Sequence, residues 1–318
     1  MKNDYNRYNI RLNMTNRISK GLTLTSHLSG EQDIDHEPAP PATLDWNNML
    51  SSISQVIRVP AIYPNKMSNG DWGTGIVNKG TPVSYFDNAS FFTSKEANIM
   101  ANERLDWEII DGLKASLIGG YTENDMNSQR FLANQTINAN IVLGPGSLTQ
   151  SNSASYYKTL QELLQYNKTF NKSSFTLLLG HSFEDSYTSS SSEYRSGFNS
   201  NQLTQINAGD VSTQTNSGTA AEWALDSYFG RIQYSYANKY LIEGDVRHDG
   251  SSRFPTDKRY ATFPAVAVGW RISQENFIKN NEQLNWINDL KLKASWGILG
   301  NQNIGNYPFQ DILAPGYN

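Results

Sequence analysis

From Lys239 to Asp249 the chain alternates with a strict period of two. Lys239, Glu243, Asp245, Arg247 and Asp249 share one parity, broken only by Leu241, while Tyr240, Ile242, Gly244 and Val246 share the other. Successive side chains of a strand point to opposite faces, so this segment is a strand with one charged and one apolar face. The charged face must look into water, because a Lys or Arg facing lipid at mid-depth costs about 2–4 kcal/mol. In a barrel that spans a membrane, the water is in the lumen.

The neighbouring runs obey the same rule. In Asp226–Tyr236, Tyr228, Ile232, Tyr234 and Tyr236 oppose Arg231, Gln233 and Ser235. In Tyr260–Ile272 and Asp289–Ile298 the apolar sets are Val266, Val268, Trp270, Ile272 and Leu290, Leu292, Ala294, Trp296. The alternation predicts further strands over Tyr5–Met14, Leu22–Gln32, Asn98–Ile109, Leu113–Asn124, Tyr157–Phe170 and Ser173–Tyr187, about ten in all. Connections alternate between tight turns, such as Asp111-Gly112, Asn171-Lys172 and Ala237-Asn238, and excursions of roughly thirty residues or more. The longest, 33–97, opens on Pro38-Ala39-Pro40-Pro41 and is predicted to hold a helix over Leu44–Ile57. One helical turn is expected at Glu275–Ile278. Tight turns at one rim and long loops at the other describe an all-β, antiparallel transmembrane β-barrel. Strands of about 10–13 residues suit a tilted crossing better than the ~5–6 of globular sheets. A soluble or surface-attached β-sandwich that binds carbohydrate is the alternative, since it also alternates.

Composition agrees with strands wet on one face. The 318 residues are 38% hydrophobic, yet 17 Tyr, 13 Phe and 7 Trp make 12% of the chain aromatic. A net charge of −4 gives no basic footprint for nucleic acid. The absence of cysteine excludes disulfides and thiolate metal sites. No apolar run is long enough for a transmembrane helix, and barrel strands need none. The N-terminus carries no signal-peptide pattern and already reads as strand. Both ends are expected to be cuts through a longer protein.

Catalytic patterns are not found. In Arg247-His248-Asp249-Gly250-Ser251 the His and Asp are adjacent on a strand and point apart, so they form no relay. No HExxH or CxxC spacing supports a metal, and no cofactor is expected. Gly70-Asp71-Trp72-Gly73-Thr74-Gly75 lacks the Lys-Ser/Thr of a phosphate loop. The functional candidates are aromatics of the first long excursion: Trp46, Trp72, Tyr85, Phe86, Phe91 and Phe92. Set among Asn, Asp and Ser, they are suited to stack on sugar rings or grip peptide side chains. Packing the loop against itself is the other reading. Arg231, Glu243, Asp245 and Arg247 are expected to line the lumen.

Several stretches resemble a known family. Tyr228-Phe229-Gly230-Arg231-Ile232, Lys239–Glu243, Asp249-Gly250-Ser251-Ser252-Arg253-Phe254, Phe263–Ser273, Trp286–Lys293 and Gly300-Asn301-Gln302-Asn303-Ile304-Gly305 are similar to the SusC/RagA-like TonB-linked outer-membrane proteins of Bacteroidetes. Leu203–Gly209 and Ala221-Glu222-Trp223-Ala224 look similar too. The similarity covers roughly residues 195–310. It implies that the strands are part of a larger, 22-stranded barrel in the outer membrane, and that residues 1–318 are a partial barrel domain without the plug. It further implies import of glycans or peptides, a SusD-like surface lipoprotein as lid, and energy from the TonB complex through an N-terminal region not matched here. Asp249–Phe254 and Gly300–Gly305 are expected to be structural turns of the outer rim.

Overall fold

The computed structural model describes residues 3–39, 62, 64–73, 83–84, 87, 89–284 and 286–310. Ten strands form one antiparallel sheet, all paired with their neighbours in chain order. They are β1 (Asp4–Ser19), β2 (Leu22–Glu37), β3 (Phe91–Ile110), β4 (Leu113–Leu132), β7 (Gly146–Phe170), β8 (Ser173–Phe198), β9 (Thr215–Tyr236), β10 (Tyr240–Ser251), β11 (Tyr260–Arg271) and β12 (Lys291–Gly297). A separate small hairpin, β5 (Gln135–Asn138) and β6 (Ile141–Leu143), rises from the connection between β4 and β7. β1 and β12 are the edges of the sheet. No helix among the described residues is long and apolar enough to cross a membrane, which says nothing about strands.

The alternation fixes the register. Across β9 and β10, Arg231 stands opposite Asp245 and Ile232 opposite Gly244; across β10 and β11, Ile242 stands opposite Val268 and Val246 opposite Pro264. A slip of one residue would carry every charged side chain to the apolar face, so the pattern excludes odd shifts, and the pairing of Arg231 with Asp245 fixes the rest. Leu179, Ile232, Ile242, Val246, Val268, Leu292 and Trp296 are all exposed on that apolar face.

Several strands run well past the predicted limits. β4 reaches Leu132 instead of Asn124, β7 begins at Gly146 instead of Tyr157, and β8 ends at Phe198 instead of Tyr187. β9 begins at Thr215, inside the stretch read as a loop. The added segments are Ser-, Asn- and Thr-rich, and Ser189–Ser192 pairs on both sides, with Ser151–Ala154 and Ser217–Ala220. Alternation signals a difference between two faces. Where both faces are wet, the backbone ladder continues without that signal. The first long excursion is likewise shorter than read: Asp33–Glu37 belong to β2 and Phe91–Ala97 to β3. The helix predicted over Leu44–Ile57 lies outside the described residues.

A small core closes the long-loop rim. Phe131, Leu148 and Phe198 are fully buried where β4, β7 and β8 end, with Ala133 beside them and Phe91, Ile206 and Ala208 packed on top. Asn134 ties the loops around it: its side chain donates to the Phe198 carbonyl (2.6 Å) and accepts from the Gly146 N–H (2.7 Å).

The short-turn rim holds a clasp. After β11 the chain makes a 3-10 turn (Ile272–Gln274) and the expected helical turn, Asn276–Lys279. Glu275 between them accepts hydrogen bonds from Tyr240 Oη (2.6 Å), Trp270 Nε1 (3.0 Å) and Lys239 Nζ (2.9 Å). Tyr240 and Trp270 face each other across β10 and β11, so one carboxylate pins a cross-strand pair. These donors, the Tyr240 hydroxyl foremost and then Lys239 and Trp270, hold the Glu275 carboxyl down to about 2 from the ordinary 4.5. The folded pKa lies below the unfolded one, so the clasp's contribution is whole above about pH 4.5 and fades as pH falls toward 2. Acid titration of the Trp270 fluorescence environment should show a transition in that window. Glu275→Gln should remove it, and a transition that survives the substitution would assign it elsewhere.

Candidate luminal wall

The wet face of β9 and β10 is a ladder of paired polar groups. Arg231 Nε donates to Asp245 Oδ1, and the Gln233 amide donates to Glu243. Arg247 bonds Asp249 through Nε (2.6 Å) and the Ser227 hydroxyl through its terminal nitrogen (2.9 Å), with its guanidinium 5.5 Å from the centre of the Phe229 ring. Pairs one strand apart, or two residues apart on one strand, meet because the pleat stacks them on one face. Arg231 and Arg247 each meet a carboxylate, while Glu243 meets a neutral amide. The same face of β1 to β4 continues the ladder, with Arg7 beside Glu31 and with Arg104 Nε on Asp106 (2.8 Å).

Toward the long-loop rim the wall becomes aromatic. Trp223 of β9 lies 6.2 Å from the Tyr157 ring of β7, within the range of productive ring contacts. The Arg253 guanidinium caps Trp223 at 5.0 Å, and Tyr157 Oη donates to Glu184 (2.6 Å). Arg253 is held by the carbonyls of Gln302 (3.1 Å) and Ile304 (3.0 Å). Beside this platform lies a cavity of about 490 Å³ lined by Arg247, Asp249, Phe254, Arg259, Phe263 and Gln302, among others. Arg253 is thus the latch between the two motifs Asp249–Phe254 and Gly300–Gly305, both at the long-loop rim.

Of the residues proposed from sequence, Arg231, Glu243, Asp245 and Arg247 stand together on this face. His248 and Asp249 are separately partnered, His248 Nδ1 with Thr262 Oγ1 (2.8 Å) and Asp249 with Arg247. Trp72 donates its backbone N–H to the Ile137 carbonyl (2.9 Å), and Lys66 sits over its ring at 4.4 Å. Phe91 packs against Phe131 with ring centres 5.7 Å apart, on the edge of the rim core. Phe92, its chain neighbour, is on the opposite side of β3, paired with Glu37 and Arg130. Trp46, Tyr85 and Phe86 lie outside the described residues. Trp223, Tyr157, Glu184 and Arg253 were not singled out as a site. Trp223 shares the parity of Arg231 on β9, and counting that parity back through the Ser/Thr-rich stretch is the signal that finds it.

The chain is 35% identical to the TonB-dependent receptor SusC of Bacteroides thetaiotaomicron over 198 residues, 61% of this chain and 18% of that protein. It is 33% identical over 214 residues to the TonB-dependent receptor P39 of Formosa agariphila, 66% of this chain and 20% of that protein. The solved RagAB peptide importer in its open-open state superposes with a TM-score of 0.80 at 25% identity, covering 98% of this chain and 34% of that one. This chain therefore spans about a fifth of the length of the two receptors and about a third of the RagAB chain. The family described as TonB dependent receptor-like, beta-barrel matches residues 42–309. Ten antiparallel strands in chain order, apolar on one face and paired polar on the other, are the wall such a barrel needs, and the chain belongs to this family as a SusC/RagA-like outer-membrane protein.

Proposed function

We propose that the chain is a wall segment, a partial barrel domain, of a TonB-dependent transporter that imports oligosaccharides through the outer membrane. The apolar face meets lipid, and the face bearing Arg231, Glu243, Asp245 and Arg247 lines the lumen. The observation that carries the cargo class is the platform of Trp223 and Tyr157, flanked by Glu184 and Arg253. Flat rings match the apolar faces of pyranoses, and a carboxylate and a guanidinium beside them bond ring hydroxyls. Sites of this make-up, mostly apolar with a few placed polar groups, are usual for small ligands. Similarity to SusC supports the same reading. Phe92 and Trp72 extend the candidate contact surface, and Trp46, Tyr85 and Phe86 are further proposed contacts on the ground of sequence alone. A SusD-like surface lipoprotein is the proposed partner at the long-loop rim, and coupling to TonB would run through parts of the protein beyond this chain.

Peptide is the second reading, favoured by the likeness to the RagAB peptide importer. Binding of neutral oligosaccharides and of short peptides to the full transporter separates the two. For oligosaccharide cargo, Trp223→Ala should weaken binding by about thirtyfold, corresponding to a buried aromatic anchor worth about 2 kcal/mol. Unchanged oligosaccharide affinity in that variant would remove Trp223 from the site. Binding of peptides alone would replace the glycan reading.

A further inference from the structure

The apolar face is not smooth. A groove of about 450 Å³ opens on it between β3, β4, β7 and β8. Its floor is the outward row of β4, Ala115 and Leu117, which stand opposite Leu164 and Glu162 of β7. Trp107 and Leu105 form one wall and Leu164 and Leu179 the other. The groove lies at least two strands inside either edge of the sheet, so its shape comes entirely from paired strands.

Its upper end is polar. Glu162 and His181 line the groove there, and His181 joins two carboxylates: Nδ1 lies 3.3 Å from Glu162 and Nε2 2.7 Å from Asp226. The second oxygen of Asp226 accepts from Tyr260 Oη (2.8 Å), and the Tyr228 ring lies 4.7 Å from the imidazole. Glu162 and His181 stand about nine residues from the Asn171–Lys172 turn. At about 2.5 Å of height per tilted residue they lie roughly 23 Å above it, close to the top of an apolar band about 25 Å tall. Polar groups on a lipid-facing surface are tolerated at that level because head groups and water begin there. Nearby Lys158 is drawn off over Tyr156 (4.1 Å). With both carboxylates ionised, even a protonated His181 leaves the cluster net negative.

We propose that this groove is a binding site for one amine-bearing phospholipid, its acyl chain lying along Leu117 and Leu164 and its ammonium head group meeting Glu162 and the His181–Asp226 pair. The apolar length, the polar cap at head-group depth and the negative charge each select that occupant. A phosphate-rich head group without an amine would be repelled by the same carboxylates.

Native mass spectrometry of the protein purified from outer membranes, titrated with phosphatidylethanolamine or phosphatidylglycerol, tests this. Wild type should hold phosphatidylethanolamine about tenfold more tightly. Glu162→Gln with Asp226→Asn should bring that ratio close to one while leaving a lipid bound. Ala115→Phe, which adds bulk at a lining residue between Trp107 and Leu164, should cut retention of both lipids several-fold; heat-modifiable gel mobility confirms that the barrel is folded. Equal affinity of wild type for the two lipids would overturn the head-group assignment. Unchanged retention in Ala115→Phe would place the lipid elsewhere. Cross-linking between copies through a cysteine introduced at Leu117 would show that a second copy, not lipid, covers the groove.

Discussion

Replacing Ile232 with Lys should destabilise the barrel by about 2–4 kcal/mol, whereas Lys at the adjacent Gln233 should change stability by only about 0.5 kcal/mol. Ile232 is exposed on the apolar face of β9, about five residues above the Ala237-Asn238 turn and hence near the middle of the lipid band. An ammonium there has hydrocarbon around it, and its flanking residues Leu177 and Gly244 offer no partner. Gln233 is its chain neighbour, but its side chain bonds Glu243 on the wet face, where a Lys would meet a carboxylate already in place. Equilibrium folding of the full-length protein into lipid vesicles, titrated with denaturant, reads both variants. Equal costs would undo the assignment of faces and bring back the soluble sandwich. A large cost at Gln233 alone would exchange lumen and lipid.

That contrast rests on the part of the structure most open to reading from residues. On β9 and β10 the two parities differ in kind, charged against aliphatic and aromatic, because the faces meet different solvents. Register follows from the same difference, since Arg231 can stand beside Asp245 in only one pairing. Tight turns were visible through Asp111-Gly112 and Asn171-Lys172. Information fails where the solvents become alike. Above the lipid band Ser189–Ser192 and their partners are wet on both sides, and sequence no longer separates strand from loop. The cargo platform lies in that zone. Trp223 follows a run of Thr, Gly and Ala, Tyr157 is far from it in the chain, and Arg253 reaches it from a turn. Only the sheet order makes them neighbours. Phe91 shows the reverse: an aromatic beside a long loop looks like a ligand contact until Phe131 and Phe198 are seen to enclose a core around it.

Gly112→Ala should be the most damaging single-methyl change at the short-turn rim, costing about 2–4 kcal/mol. Its φ of +81° is one contribution, worth about 1 kcal/mol for a residue with a Cβ. Backbone conformation alone is not decisive here, because Ala237 and Asn238 both hold positive φ, at 52° and 57°, in the turn between β9 and β10. Space decides. A Cβ on Gly112 would stand 2.2 Å from the carbonyl oxygen of Asn167, which belongs to β7 and cannot rotate aside like a side chain. The Gly112 carbonyl accepts the Asn167 N–H at 2.7 Å, so relieving the clash also breaks the bond joining this hairpin to the next. Forced displacement of packed groups costs about 1–3 kcal/mol on top of the backbone penalty. Gly70 supplies the control. Its φ is +90°, yet a Cβ there meets nothing within 4 Å, so Gly70→Ala should carry only the backbone penalty of about 1 kcal/mol. Denaturant midpoints of the two variants, measured in the same vesicles, should differ clearly, with Gly112→Ala the lower. Equal shifts would mean that the turn between β3 and β4 moves freely of β7, and that the rim is not the continuous hydrogen-bonded edge seen in the structure.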